Sequence, residues 1–151
     1  MDDIDRPLWS VIIPTYNCAT YLKETLTSVL AQDTGEASME IIVVDDHSTK
    51  DDPEAVVKEF GQGRVQFYGQ PKNIGKSSNY AFGINLSRGY YIHLLHGDDT
   101  VEPGFYKTIA DLFKEHPKAS AAFCRCNYIN ADNNKIGETE LLISKSGIIN
   151  N

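Results

Sequence analysis

The chain has 151 residues, 41% hydrophobic and 23% charged, which is the composition of a globular domain with a core of its own. With 14 basic and 21 acidic residues, its formal charge of −7 argues against a broad electrostatic interaction with nucleic acid or an anionic membrane. No apolar run approaches the ~20 residues that span a bilayer, and the acidic start MDDIDRPL is unlike a signal peptide. We therefore expect a cytoplasmic protein that binds no nucleic acid, has no transmembrane segment in this chain, and reaches a membrane only through other regions or partners.

Short apolar runs rich in β-branched or aromatic residues predict strands, and segments with helical periodicity follow them. Along the chain we predict a strand at 9–14, a helix at 21–32 capped by Thr20, a strand at 40–45, a helix from Asp52-Pro53 to Gly61, a strand at 64–69, a helix at 77–87, a strand at 90–95, a helix within 103–117 and a fifth strand at 119–129. This alternation predicts an α/β fold, a three-layer α/β/α sandwich with a mostly parallel central sheet.

Three polar clusters follow predicted strands of this sheet. They are PTYN at 14–17, DDHS at 45–48 and HGDD at 96–99. In parallel α/β sheets ligands bind beyond the carboxyl ends of the strands, and these ends share one edge. The topology therefore predicts that the three clusters meet in one site, although they are far apart in sequence.

The HGDD cluster has the chemistry of a divalent metal site. Carboxylates suit Mg²⁺ or Mn²⁺, which commonly take one or two of them while substrate phosphates complete the shell. Because neighbouring side chains of an extended chain point to opposite sides, we expect one of Asp98 and Asp99 to bind the metal and the other to accept hydrogen bonds. Gly97 is expected to allow a turn with positive φ, and His96 to contact a phosphate or a metal ligand. The alternative is that the Asp pair simply ends a strand and caps the next helix.

The other clusters carry groups that suit a nucleotide. A carboxylate at the end of the second strand, Asp45 or Asp46, can accept a hydrogen bond from an imide N–H such as that of uracil. The alternative is a strand-ending aspartate in a turn with Ser48. Tyr16 offers a ring that could stack on a base, or a half-buried core aromatic.

Two further side chains complete the candidate nucleotide site. Thr15 is a small hydrogen-bond donor beside the first strand. Lys76 stands at the entry to the third helix, where a helix N-terminus and a lysine together suit a diphosphate. The alternative for Lys76 is an ordinary solvated surface lysine.

The segments WSVIIPTYNCATYLKETLTSVLAQ, MEIIVVDDHSTKD, NIGKSSNYAFGINLSRGYYIHLLHGDD and PGFY resemble the family 2 glycosyltransferases, in the same order and spacing, from about Leu8 to Ile129. The resemblance implies a nucleotide-diphospho-sugar transferase fold of the GT-A, Rossmann-like type. It also implies inverting, metal-dependent transfer of a sugar, with Mn²⁺ or Mg²⁺, from a nucleotide-diphospho-sugar (a UDP-sugar if the base contact is to uracil) to an acceptor hydroxyl. Such transfer serves glycan or cell-surface polysaccharide synthesis, including cell-wall polymers.

The resemblance also implies roles for residues that match the family's motifs. Tyr16 matches the aromatic beside the base, Asp46 the uracil-contacting aspartate, and Asp98 the metal-binding aspartate that ends an Asp-X-Asp motif. Pro14 and Thr15 match the loop that lines the nucleotide. Asp45 and Asp99 adjoin these positions and are assigned to the donor site with Lys76 and His96.

The sequence departs from the family pattern at two places. His96-Gly97-Asp98 stands where the family often has Asp-X-Asp, so the first carboxylate is replaced by an imidazole. Tyr80-Ala81 stands where an Arg-Asn pair often precedes the glycine of the third helix. The second departure removes an arginine from the diphosphate and raises the importance of Lys76.

The resemblance places the acceptor half, and with it the catalytic base, after the donor-binding half. We predict an N-terminal tail at 1–7, the glycosyltransferase domain at 8–130, and at 131–151 a tail that begins an acceptor-binding part of a longer enzyme. Glu138 and Glu140 are the only acids after Asp132, and neither is expected to be the base. Two alternatives stay open: a non-catalytic nucleotide-sugar-binding module, and a sugar-nucleotide nucleotidyltransferase. The second is disfavoured because PTYNCATY lacks the glycine and lysine of a triphosphate loop.

Overall fold

The computed structural model describes residues 6–140, so the greater part of the two predicted tails, at 1–7 and 131–151, lies outside the described residues. None of the helices within 6–140 is long and apolar enough to cross a membrane. In chain order the elements are β1 (Trp9–Thr15), α1 (Ala19–Leu30), β2 (Met39–Asp45), α2 (Pro53–Phe60), β3 (Val65–Gly69), α3 (Lys76–Leu86), β4 (Tyr91–Leu94), α4 (Phe105–Glu115), β5 (Asn127–Ile129) and β6 (Lys135–Glu138).

The first compact unit, which runs to Pro103, contains a four-stranded parallel sheet in the order β3-β2-β1-β4. Every residue of β1 and of β2 is buried, which is why these two strands are near-continuous apolar runs rather than alternating ones. The register pairs Ile12 of β1 with Ile42 of β2 on one side and with Leu94 of β4 on the other. The predicted α/β class with a mostly parallel sheet is confirmed.

Both faces of the sheet are covered. On one face Ile12, Ile42 and Val44 form a buried cluster against Leu86 of α3. On the other face, Val11 and other odd-numbered side chains of β1 and β2 are also fully buried. The helices α1 and α2 pack against each other, and the apolar side of α1 (Leu22, Leu26 and Val29) is fully buried. The result is a layered arrangement of helices and sheet, as the alternating pattern predicts.

The second compact unit begins at Gly104 and holds α4 and an antiparallel hairpin of β5 and β6. The predicted fifth strand at 119–129 is wrong for most of its length, because only Asn127–Ile129 is a strand. Residues 119–126 lack regular structure and are exposed. Their sequence, ASAAFCRC, contains no β-branched residue, so its intrinsic preference for a strand is weak.

A buried carboxylate network joins the start of β4 to β1 and β2. Glu40 accepts hydrogen bonds from the Ser10 hydroxyl, from the Arg88 backbone N–H (2.6 Å) and from Arg88 Nε (3.0 Å). Burial alone raises the pKa of the Glu40 carboxyl, but the hydrogen bonds from Ser10 and Arg88 outweigh it and hold the pKa below its usual value. Glu40 is therefore a charged, fully partnered group that positions β4 in the sheet.

Gly89 lies directly against the backbone of β1. Its N–H donates to Ser10 Oγ at 2.7 Å, and a Cβ added at this position would lie 2.6 Å from the Ser10 nitrogen and 2.8 Å from the Trp9 carbonyl carbon. Only a residue without a side chain fits this approach. The turn into β4 therefore depends on glycine at position 89.

His93 on β4 should make the protein less stable in mild acid. Burial lowers the pKa of this imidazole from 6.5 to about 4. Below about pH 6.5 the unfolded chain binds a proton that the folded chain does not, so stability is full above that pH and declines toward pH 4. We expect the free energy of unfolding in urea to fall by about 1–2 kcal/mol between pH 7 and pH 5.

The matched variants separate this imidazole from other titrating groups. His93→Gln should remove most of the decline between pH 7 and pH 5. His47→Asn replaces an exposed histidine with a residue that tolerates its positive φ of 64°, and should retain the decline. An equal decline in the His93 variant and the parent would contradict the assignment.

Candidate functional site

The three polar clusters meet at one edge of the sheet, as the topology predicts. The Gly97 N–H donates to the Pro14 carbonyl at 3.1 Å, and the Asp46 N–H donates to the Thr15 carbonyl at 3.0 Å. These bonds continue the ladders beyond the ends of β4 and β2. The loops after β1, β2 and β4 are therefore held side by side by backbone hydrogen bonds.

The loop after β1 presents an aromatic ring to solvent. Tyr16 is 49% exposed, so it lies outside the core and its ring is accessible from solvent. Thr15 is buried, and its Oγ1 lies 2.9 Å from the Sγ of Cys18. Pro14 and Thr15 belong to β1, which runs one residue further than predicted.

Asp45 and Asn17 build the turn below this loop. The Asp45 carboxylate accepts hydrogen bonds from the Ser48 backbone N–H (2.9 Å) and the Ser48 hydroxyl (2.5 Å). The Asn17 N–H donates to Ser48 Oγ at 2.8 Å, and its side-chain oxygen accepts from the N–H groups of Thr49 and Lys50. This is the turn that the alternative interpretation of Asp45 describes. The role of Asn17 was not predicted from the sequence, although asparagine is one of the residues that tolerate a positive φ, here 53°.

Asp46 connects the second cluster to the start of α3. Its two carboxylate oxygens accept from the backbone N–H groups of Ile74 (2.7 Å) and Gly75 (3.0 Å), and its carbonyl accepts from the Asn73 side chain (3.1 Å). Asp46 is buried, with 4% of its surface exposed. The carboxylate predicted to face a base therefore also holds the loop before α3 in place, and each of its oxygens keeps one lone pair for a further donor.

Lys76 lies exposed at the first position of α3, as predicted. Gly75 caps this helix without any side-chain hydrogen bond, so the first N–H groups of α3 are not capped by a side chain. The Lys76 ammonium lies 5.5 Å from the centre of the Tyr80 ring one turn further along. This end of α3 thus presents a positive charge and free backbone donors, which together suit an anion.

The third cluster is a tight turn rather than an extended chain. The Asp99 N–H donates to the His96 carbonyl at 3.1 Å, and ligand atoms of His96, Asp98 and Asp99 all lie within 4.8 Å of one another. The expectation that neighbouring side chains point apart is therefore wrong here, because the turn folds the three onto one side. Gly97 does not adopt positive φ; a Cβ there would lie 3.1 Å from Cys18 Sγ and 3.2 Å from Thr15. Glycine at position 97 therefore allows the turn to lie close to Thr15 and Cys18.

His96 is fixed by Tyr80, a contact that sequence analysis missed. The Tyr80 hydroxyl lies 2.9 Å from His96 Nε2, and the two rings are 5.5 Å apart. His96 Nδ1 lies 3.9 Å from an oxygen of Asp99. Tyr80 and His96 are both positions at which the sequence departs from the family pattern. These paired departures were the only indication in the sequence that the two side chains are in contact.

The donor set fits a divalent cation. One imidazole nitrogen and two exposed carboxylates converge. Carboxylates suit Mg²⁺ and Mn²⁺, and imidazole is a ligand of divalent transition metals. The predicted metal ligand Asp98 lies in this cluster, together with Asp99 and His96.

The environment of Glu138 does not suit a catalytic base. Glu138 forms ion pairs with Lys135 (2.8 Å) and Arg125 (2.9 Å), and these cations, Lys135 first, hold its pKa below the usual value. A general base near neutral pH requires a raised carboxyl pKa. Among the described residues after Asp132 the remaining acid is Glu140, which is exposed.

Comparison with known proteins identifies the family. The model of Glycosyl transferase family 2 matches residues 10–148, most of the chain, so this protein belongs to glycosyltransferase family 2. It is 34% identical over 110 residues to the minor teichoic acid biosynthesis protein GgaB of Bacillus subtilis (strain 168), covering 72% of this chain and 12% of GgaB. It is 33% identical over 132 residues to chondroitin synthase of Escherichia coli, covering 86% of this chain and 19% of that protein. The chain thus spans less than a fifth of the length of these relatives.

Solved structures confirm the GT-A fold. S. aureus TarS 1-349 in complex with UDP-GlcNAc is 28% identical, with a TM-score of 0.65 over 72% of this chain and 32% of that chain. The mannosyltransferase PcManGT from Pyrobaculum calidifontis, solved with GDP-Man and Mn²⁺, has a TM-score of 0.64 over 72% of this chain and 32% of that chain. At 22% identity it is similar in fold alone.

Proposed function

We propose that this chain forms the donor-binding part of an inverting glycosyltransferase that takes its sugar from a UDP-sugar, with a divalent metal at Asp98. The observation that carries the proposal is the meeting of three groups at one sheet edge. These are the exposed Tyr16 ring, the N-terminus of α3 with Lys76, and the cluster of His96, Asp98 and Asp99. In the proposed complex these groups would contact the base, the diphosphate and the metal, respectively.

The base is proposed to lie against Tyr16, with its imide N–H directed at Asp46. Tyr16 is 49% exposed and so offers its ring for stacking. Asp46 keeps an acceptor lone pair on each oxygen although Ile74 and Gly75 already donate to it. A carboxylate in this position accepts from uracil N3–H, and this supports UDP as the nucleotide. Pro14, Thr15 and Asp45 are proposed to support the residues that contact the base.

The diphosphate is proposed to lie between Lys76 and the carboxylate turn. Lys76 and the free N–H groups of α3 offset its charge on one side. A divalent cation held by Asp98 would offset the negative charge that develops on the diphosphate as it leaves. The chain's own residues bind and orient the donor so that the anomeric carbon can be attacked from the opposite face.

The base that deprotonates the acceptor is proposed to come from an acceptor-binding part outside residues 6–140. Glu138 is engaged by Lys135 and Arg125 and does not suit this role. The names of relatives in teichoic acid biosynthesis and chondroitin synthesis support a role in making cell-surface polysaccharide.

A calorimetric titration tests the proposal. UDP-, GDP- and dTDP-sugars are titrated into the chain with Mn²⁺ and, separately, with EDTA. We expect UDP-sugars to bind at least about tenfold more tightly than GDP-sugars, because one hydrogen bond to the base contributes about this much. We also expect this binding to require Mn²⁺. If none of the nucleotide sugars binds with or without metal, the proposal is wrong.

A further inference from the structure

His96 lies where a metal at Asp98 would meet it. Its Nδ1 is 3.9 Å from an oxygen of Asp99, which is too long for a hydrogen bond. Two ligand atoms around an octahedral ion, each bound at about 2.1 Å, are separated by about 3.0 Å when they are adjacent and 4.2 Å when they are opposite. The observed gap falls between these values, so one ion can bridge the imidazole and the carboxylate with small side-chain rotations.

The second ring nitrogen of His96 already has a partner. Nε2 lies 2.9 Å from the Tyr80 hydroxyl, and Tyr80 is anchored on α3 with the Lys76 ammonium over its ring. When Nε2–H donates to this hydroxyl, the lone pair of the neutral ring is on Nδ1, the atom that faces the carboxylates. Metal-binding histidines are typically fixed in this way, by a hydrogen bond from the nitrogen that does not bind the metal.

We propose that His96 is a metal ligand through Nδ1 beside Asp98, that Tyr80 is its positioning residue, and that this nitrogen ligand makes the site select Mn²⁺ over Mg²⁺. The inference rests on the proposed donor site and adds to it a ligand and a choice of metal. Mg²⁺ is bound by oxygen ligands, whereas metals such as Mn²⁺, Co²⁺ and Zn²⁺ accept an imidazole. An aspartate in place of His96 would not discriminate in this way.

Pulsed electron paramagnetic resonance of the Mn²⁺–UDP complex reads the ligand directly. We expect the parent chain to show ¹⁴N modulation from a bound imidazole. His96→Asp, which replaces the nitrogen by a carboxylate, should lose the modulation while still binding Mn²⁺. The ratio of Mg²⁺ to Mn²⁺ dissociation constants, measured by competition, should fall by about tenfold or more in this variant.

Tyr80→Phe tests the positioning role, because it keeps the ring and removes the hydroxyl. We expect Mn²⁺ to bind about tenfold more weakly with Mg²⁺ affinity unchanged. A merely structural role would weaken both metals equally, and that result would overturn the assignment of Tyr80. Tyr21→Phe, at an exposed tyrosine of α1, is the matched control and should change neither affinity.

The outcomes separate this inference from the proposed function. If the parent lacks ¹⁴N modulation but Asp98→Ala abolishes metal-dependent UDP binding, the donor site stands and His96 is not a ligand. If Asp98→Ala leaves that binding unchanged, the donor site itself is wrong.

Discussion

Replacing Asp98 by alanine is expected to weaken UDP binding in the presence of Mn²⁺ by about 100-fold or more, because even residues that only support a metal ligand contribute 10- to 100-fold to affinity. The Asp98 carboxylate is exposed in the turn with His96 and Asp99. In the proposed site it would hold the cation that offsets the charge of the diphosphate. Without it the remaining donors hold the ion weakly. In EDTA the parent chain and the variant should bind UDP equally weakly, since the metal contributes nothing there. Isothermal titration calorimetry with UDP in both buffers provides the measurement.

The control for this prediction is Asp132→Ala. Asp132 is an exposed aspartate in the turn of the β5–β6 hairpin, so its loss changes the net charge by the same amount. Its UDP affinity should equal that of the parent chain. A circular dichroism melt of the Asp98 variant should match the parent, because the side chain is exposed. Unchanged Mn²⁺-dependent affinity in a folded Asp98 variant would refute the metal assignment.

Gly89→Ala is expected to destabilise the fold strongly. The new Cβ would lie 2.6 Å from the Ser10 nitrogen, and backbone cannot rotate away as a flexible side chain can. Relief requires β1 and the entry to β4 to separate, which also strains the hydrogen bonds from Gly89 to Ser10 and from Arg88 to Glu40. We expect a loss of about 3 kcal/mol and a fall of roughly 10 °C in Tm, measured by thermal unfolding.

Gly69→Ala is the matched control for the glycine prediction. A Cβ at Gly69, the last residue of β3, would make only ordinary contact with the Phe67 ring at 3.5 Å, and its φ is not positive. The Tm of this variant should stay within a few degrees of the parent. If the two variants have the same Tm, the close approach of Gly89 to β1 does not constrain the fold.

The strands and helices that sequence analysis located well are those with local signals. The β-branched runs of β1 and β2 are buried along their whole length, and Asp52 caps α2 through the Ala55 N–H, as the Asp-Pro pair predicts. The start of α1 was misplaced because its cap is not local. Its first N–H, on Ala19, is bound by the carboxylate of Asp51, which is distant in sequence. No periodicity within α1 contains that information.

The candidate site was predictable in its position and less so in its internal contacts. Topology alone placed the three clusters at one edge. It could not show that the Asp46 carboxylate also binds the backbone at Ile74 and Gly75, since those bonds depend on how the loop before α3 folds back. Nor could it show that residues 96–99 form a turn, because the rule used to separate Asp98 from Asp99 assumes an extended chain.

The order of strands in the sheet also determines how long each strand waits for its partners during synthesis. Among the four strands of the described sheet β1 is made first, yet one of its two neighbours, β4, begins 76 residues after β1 ends at Thr15. At translation rates of about 5–20 residues per second, that edge of β1 waits about 4–15 s for its partner. During this interval an apolar strand carries unpaired N–H and C=O groups, which is the kind of surface that chaperones bind and that aggregates form from. The strand at the centre of the finished sheet is therefore the one most exposed to misassembly while the chain is being made.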